Sequence, residues 1–220
     1  MQKMKPVVAI FAHPDDEAFG ASGTLALLAK EREVYLICVT DGSEGMNSSK
    51  KTQALAEIRQ EELLNSAKIL GIKEVFFLGF KDGSLSNNLY HTIAEKIQKI
   101  LEEIKPEMLL TDELRGISGH LDHIAVSFIT SYVFKRLSFV HELWYYCITE
   151  KRAQSVQDYF IYWPPGYKKE EISKTVDVSV VWEQKTEAMY QHESQRHDVE
   201  RILKEINGLP QEENFIVLKK

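Results

Sequence analysis

Two hydrophobic patterns alternate along the chain. Short continuous apolar runs such as Val7 to Ala12, Val34 to Val39 and Leu143 to Ile148 are of strand length, and their lack of a polar alternation marks strands covered on both faces. Between them lie longer stretches in which apolar residues recur at helical spacing. The pattern predicts strands at 6–12, 34–40, 74–79, 108–111 and 143–149, and helices at 19–32, 52–70, 89–104 and 122–137. Strands alternating with helices of this length imply right-handed βαβ crossovers and an α/β fold, with a mostly parallel sheet and helices on both faces. Beyond residue 150 the pattern loosens. Tyr159, Tyr162, Trp163, Pro164, Pro165 and Tyr167 crowd into an expected loop, where packing against the domain is the favoured role, ahead of lining a cleft. Val176 to Val181 then reads as a short strand and Trp182 to Ile206 as a long helix. No repeat, low-complexity tract or composition shift divides the chain, so residues 1–220 read as one domain.

The chemistry sits at strand ends. His13, Pro14, Asp15, Asp16 and Glu17 follow the first apolar run directly, and loops after the carboxyl ends of parallel strands are where α/β sheets hold ligands. His13 and Asp16, three apart across a proline-stiffened turn, can aim an imidazole and a carboxylate at one dication. Two ligands do not close a metal site. His120-Leu121-Asp122-His123 follows the 108–111 strand and offers the missing imidazole. Strand ends at Ala12 and Thr111 lie on the same sheet edge in such a fold, so the two halves can meet. The competing reading is that Asp15, Asp16 or Ser22 merely caps the next helix, but a cap has no need of a histidine and further carboxylates. Thr40-Asp41-Gly42-Ser43-Glu44-Gly45 ends the second strand and can wall the same cleft; otherwise it is a plain turn.

Ala12 to Glu17, Thr40-Asp41-Gly42 with Glu44-Gly45, and Gly119-His120-x-Asp122-His123 together resemble the LmbE-like (PIG-L) family of zinc-dependent de-N-acetylases. Weaker landmarks extend the resemblance almost from end to end: Arg59-x-x-Glu62 with Ala67 and Leu70-Gly71, then Lys185, Ala188, His192, Ser194 and Gln195. One position departs, Leu121 standing where the family often has Pro. The resemblance implies a single Rossmann-like domain and zinc held by His13, Asp16 and His123. It implies Asp15 as general base, and His120 as charged partner of the oxyanion and proton donor, oriented by Asp122. Arg59 becomes a candidate for gripping substrate, and His192 a structural or supporting residue. Three protein ligands leave an open position for water, whose pKa zinc brings to about 7. The implied reaction removes acetyl from an N-acetylglucosamine-containing small glycoside, such as N-acetylglucosaminyl malate or a chitooligosaccharide. Whether Asp15 or His120 protonates the leaving amine stays open.

Composition narrows the setting. Two cysteines in 220 residues, Cys38 and Cys147, each within an apolar run, read as buried strand thiols rather than a disulfide. A net charge of −6 without a basic cluster argues against a nucleic-acid partner, and Lys50-Lys51 and Lys168-Lys169 read as solvated pairs. No apolar stretch suits a membrane span or a signal segment, which gives a cytoplasmic expectation; a homo-oligomer is left open. Two other classes share features of the site. Two histidines and a carboxylate are also the ligand set of non-haem iron oxygenases, and a sugar- or nucleotide-binding module without turnover is the third reading. Against the last, Gly20 and Gly23 come too late to form a pyrophosphate-cradling Gly-x-Gly-x-x-Gly loop.

Overall fold

The structure, a computed structural model, describes residues 4–49, 52–156 and 162–220; Lys50, Lys51 and Tyr159 lie outside them. Five parallel strands form the centre: β1 (Val7–Phe11), β2 (Val34–Thr40), β3 (Glu74–Phe80), β4 (Met108–Asp112) and β5 (Glu142–Cys147). With β6 (Lys174–Asp177) and β7 (Glu212–Lys219) they make one seven-stranded sheet of order β3-β2-β1-β4-β5-β7-β6, in which β7 runs antiparallel to β5 and to β6. The helices are α1 (Asp16–Phe19), α2 (Ser22–Ala29), α3 (Leu55–Leu70), α4 (Tyr90–Ile104), α5 (Gly116–Gly119), α6 (Leu121–Arg136), α7 (Glu150–Gln154), α8 (Trp182–Tyr190) and α9 (Arg196–Ile206).

Both faces of the sheet are covered, which is why its central strands are continuously apolar. Val7, Ala9 and Phe11 of β1 pack with Leu25 of α2, Leu63 and Ala67 of α3 and Ala188 of α8. Val8 and Ile10 face the other way, onto Ile93 and Ile97 of α4 and Ile129 and Val133 of α6. Strand period 2 thus splits one apolar run between two cores. Cys38 and Cys147 are buried and unbonded to each other, as read from their setting. No helix among the described residues is long and apolar enough to cross a membrane.

The chain moves from β1 outward to β3, then returns to place β4 on the other side of β1. Such a reversal opens a crevice at the carboxyl edge. The loops after β1 and β4 meet there.

Departures from the expected elements have local causes. The helix expected at 19–32 is α2, shorter at both ends, and the short α1 precedes it, separated by a break at Gly20, whose carbonyl accepts from Lys185 Nζ at 2.8 Å. The long helix expected from Trp182 to Ile206 is split into α8 and α9 by a tight turn at Glu193–Gln195, where the Ser194 N–H and hydroxyl donate to Glu62 at 2.8 and 2.6 Å. The strand expected at 176–181 is β6, which starts two residues earlier and ends four residues sooner, followed by a turn at Ser179–Val181. β7 was not expected at all: its Glu-Glu-Asn start hides the strand, yet Glu213 is buried because it accepts from Gly23 and Thr24 N–H at the start of α2 and pairs with Lys185.

Candidate active site

The turn after β1 is built by its own backbone. Asp15 N–H donates to the His13 carbonyl at 3.0 Å and the His13 N–H donates to Asp16 Oδ2 at 2.8 Å, which folds ligand-type side chains back over the strand end. Asp15 occupies the position preceding α1, but its carboxylate makes no capping bond. It accepts instead from Arg59 Nη2 at 2.8 Å.

His13 Nδ1 and His123 Nε2 stand 3.0 Å apart. Asp16 closes the triangle, with Oδ2 3.7 Å from His13 Nδ1 and Oδ1 3.4 Å from His123 Nε2. Ligands about 2.0 to 2.1 Å from a tetrahedral ion stand roughly 3.3 to 3.4 Å from one another. The spacing of these donors therefore fits one small dication, and so does their charge. Asp15, Asp16, Asp82 and Asp112 line this pocket and Asp122 lies against His13, with Arg59 paired to Asp15 and, at 3.8 Å, to Asp82. Burial alone would lower the His13 pKa, but contacts to Asp122 and Asp82 and the charge of Asp16 outweigh it and hold it up to about 10. Burial is outweighed at His123 too, by Asp16 and Asp112, so its pKa is raised. The field that retains a proton on these rings is the field a dication answers, and metal and proton compete for the same nitrogens. The cluster can coordinate a divalent metal.

Both converging imidazoles have a carboxylate behind them. His123 Nδ1 lies 2.8 Å from Asp112 Oδ2, at the end of β4. His13 Nε2 lies 3.0 Å from Asp82 Oδ1 and 3.4 Å from Asp122 Oδ2. Sequence reasoning missed Asp82 and Asp112. Their only signal was an acid just past an apolar strand on the same sheet edge, which a turn explains equally well. Carboxylates behind histidine ligands fix ring orientation, and losing one typically costs about 10- to 100-fold in metal affinity. Asp112→Asn should weaken metal binding by that factor in a competitive chelator titration; wild-type affinity would deny Asp112 this role.

His120 lies in the same group, its ring nitrogen within 4.8 Å of those of His13 and His123. Its Nδ1 accepts the Asp122 backbone N–H at 3.1 Å, which leaves the proton of the neutral ring on Nε2. Burial, then the nearby His13 and His123, push its pKa down to about 4. The Asp122 carboxylate is engaged elsewhere: it accepts from Gly83 and Leu85 N–H at 2.8 and 3.1 Å and faces His13. The hydrogen bond from Asp122 to His120 comes from its backbone N–H, while its carboxylate acts on the ring through charge.

Asp15 is 7 % exposed, and burial holds its carboxyl above the usual range although Arg59 pulls the other way. Arg59 is itself buried, donating from Nη1 to the Gly42 carbonyl at 2.9 Å and from Nη2 to Pro14 as well as Asp15. The loop after β2 wraps this guanidinium: a Cβ on Gly42, which has φ 67°, would lie 2.9 Å from Arg59 Cζ, and one on Gly45 would lie 2.6 Å from Nη1. That explains glycine at both positions. His192 is fully buried and its Nε2 lies 2.7 Å from Glu17 Oε1, so it ties the turn after α8 to α1 and does not line the cleft. The cleft measures about 480 Å³ and contains His13, Asp15, Asp16, Arg59, His120 and His123 together. Trp163 lines it, whereas Tyr162 is exposed and Tyr167 donates to Glu113 at 2.6 Å, steadying the loop before α5.

Known proteins are similar to this chain in sequence and in fold. The chain is 32% identical over 203 residues to diacetylchitobiose deacetylase of Thermococcus kodakarensis, covering 87% of this chain and 70% of that one. It is 36% identical over 110 residues to a probable N-acetyl-alpha-D-glucosaminyl L-malate deacetylase 2 of Bacillus cereus, covering 48% of this chain and 50% of that protein. The match thus spans about half the length of that relative. In three dimensions it resembles N,N'-diacetylchitobiose deacetylase of Pyrococcus horikoshii, with a TM-score of 0.74 at 22% identity over 98% of this chain and 84% of the other. It also resembles GalB, the 4-carboxy-2-hydroxymuconate hydratase of Pseudomonas putida KT2440, with a TM-score of 0.73 at 16% identity over 99% and 97% of the two chains. Likeness at these structural identities establishes the fold, not the reaction. Residues 8–134, more than half of the chain, match the PIG-L family, described as GlcNAc-PI de-N-acetylase. The chain belongs to the PIG-L family.

Proposed function

We propose that this protein is a zinc-dependent N-deacetylase acting on a small glycoside that contains N-acetylglucosamine. The observation that carries the reading is the convergence of His13 Nδ1, His123 Nε2 and the Asp16 carboxylate, with the carboxylate of Asp15 beside them. His13, Asp16 and His123 would hold the zinc, which when bound lowers the pKa of water and polarises a carbonyl. Nitrogen and oxygen donors in this number suit zinc.

The remaining work falls to side chains. Asp15, buried in the same cleft as the three donors, takes a proton from the attacking water. Arg59 fixes the position of that carboxylate and lines the cleft, where substrate reaches it. His120 donates from Nε2 to the oxygen that gains charge as the acetyl carbonyl becomes tetrahedral. A neutral imidazole that gave its proton away would become an anion, so the amine leaves with the proton Asp15 has taken. Balanced over the cycle, water and the amide give acetic acid and a free amine, which leave as acetate and an ammonium ion at neutral pH, and Asp15 is returned ionised. Asp122 serves this arrangement by supporting His13 and, through its N–H, His120.

Relatives named for chitobiose and for glucosaminyl malate support the sugar class. The deciding experiment strips the protein of metal, restores zinc, and screens N-acetylglucosaminides for acetate and free amine. Acetate released in step with amine, dependent on zinc and independent of dioxygen, is the expected result. Dioxygen consumption with iron and no acetate would replace this reading with an oxygenase. Hydration of an alkene acid would place the chain with GalB-type chemistry, and sugar retention without turnover would make it a binding module.

A further inference from the structure

Resting on the deacetylase reading, we infer that Arg152 forms an anion subsite that selects glycosides whose aglycone carries a carboxylate. Three arginines line the cleft, Arg59, Arg152 and Arg201. Arg59 is bonded to Asp15. Arg201 donates to Asp198 Oδ1 at 2.8 Å and to Glu205 Oε1 at 2.6 Å. Arg152 differs from both. Its Nη1 donates to the Tyr146 hydroxyl at 2.6 Å, and among the described residues no carboxylate lies within ion-pair distance of it. The nearby cation Lys185 is answered by Glu213 at 2.8 Å.

The guanidinium is half-buried and well placed. Its own backbone N–H donates to the Thr149 hydroxyl that caps α7, and its partner Tyr146 lies beside Asp112 in the sheet register, the residue that supports His123. Arg152 lines the same cleft as His13, Asp16 and His123, on the boundary between that cleft and a second cavity of about 240 Å³. Acids elsewhere in the cleft do not answer it: Asp198 and Glu205 are occupied by Arg201, and Asp198 also by His197 at 3.0 Å. A planar guanidinium fork matches a carboxylate in bidentate fashion. A neutral second sugar or polyol would leave its charge without a carboxylate counterpart among the described residues, whereas a hydroxy-dicarboxylic acid linked to the N-acetylglucosamine supplies one.

The test compares kcat/KM for N-acetylglucosaminyl L-malate with that for methyl N-acetylglucosaminide, in zinc-loaded wild type, Arg152→Gln and Arg152→Lys. The ratio should fall about tenfold to a hundredfold in Arg152→Gln, the loss appearing mainly in KM, with Arg152→Lys between the two. A ratio within twofold of wild type in both variants would overturn the subsite. Should Arg152→Gln not fold, by circular dichroism, the Arg152→Lys ratio decides in the same way. If the wild type deacetylates neither glycoside, the deacetylase reading fails by itself, and calorimetric binding of free L-malate then judges the subsite. At least tenfold weaker binding in the variant supports it, and equal binding or none overturns it.

Discussion

Asp15→Asn should lower kcat by about 10²- to 10⁴-fold, the usual worth of a general base, while zinc content stays at the wild-type level. Asp15 differs from its neighbour Asp16 in what it faces: Asp16 closes the triangle with His13 and His123, whereas Asp15 is turned to Arg59. Asparagine keeps the shape and still offers Arg59 an acceptor oxygen, so the guanidinium is not left unpaired. What it removes is the ability to take a proton from water and return it to the departing amine. Zinc quantification alongside steady-state acetate release separates these effects. Near-full turnover in Asp15→Asn would end its assignment as the base.

His13→Ala and Asp16→Ala should instead lose zinc and activity together. Each removes one of the three converging donors, so the loss in metal affinity should exceed the roughly 10- to 100-fold that removing a ligand's supporting carboxylate costs. Turnover should fall to background at zinc concentrations that saturate the wild type. The contrast with Asp15→Asn is the informative part: adjacent acids, 15 and 16, give opposite zinc contents. A His13→Ala protein that kept stoichiometric zinc would show that the ion is held elsewhere.

Much of this site could be read from the chain because its two halves are local. His13 to Glu17 follow β1 directly and His120 to His123 lie in the segment that leaves β4, and strand ends on one parallel edge must come together. The parallel core was legible for the same reason, since two-sided burial leaves uninterrupted apolar runs. What stayed hidden was decided by contacts across long stretches of chain. Asp82 reaches His13 from the far side of β3, and Asp112 reaches His123 through a loop and a helix start; neither acid carries a pattern that separates it from an ordinary turn residue. β7 escaped notice because its polar beginning is buried for a distant purpose, Glu213 holding Lys185 and the start of α2. The breaks at Gly20 and at Glu193–Gln195 follow likewise from Lys185 and Glu62, partners that helical periodicity does not encode. The carboxylate of Asp122, expected to orient His120 by resemblance alone, is bonded to Gly83 and Leu85 and lies against His13.

The most direct test of the three-donor site is zinc-edge X-ray absorption on the reconstituted wild type and on His123→Ala. The wild type should show only nitrogen and oxygen neighbours at about 2.0 to 2.2 Å, with scattering from two imidazoles, and His123→Ala should lose one imidazole or the zinc altogether. An unchanged spectrum in His123→Ala, or sulfur at about 2.3 Å, would contradict a metal held by His13, Asp16 and His123.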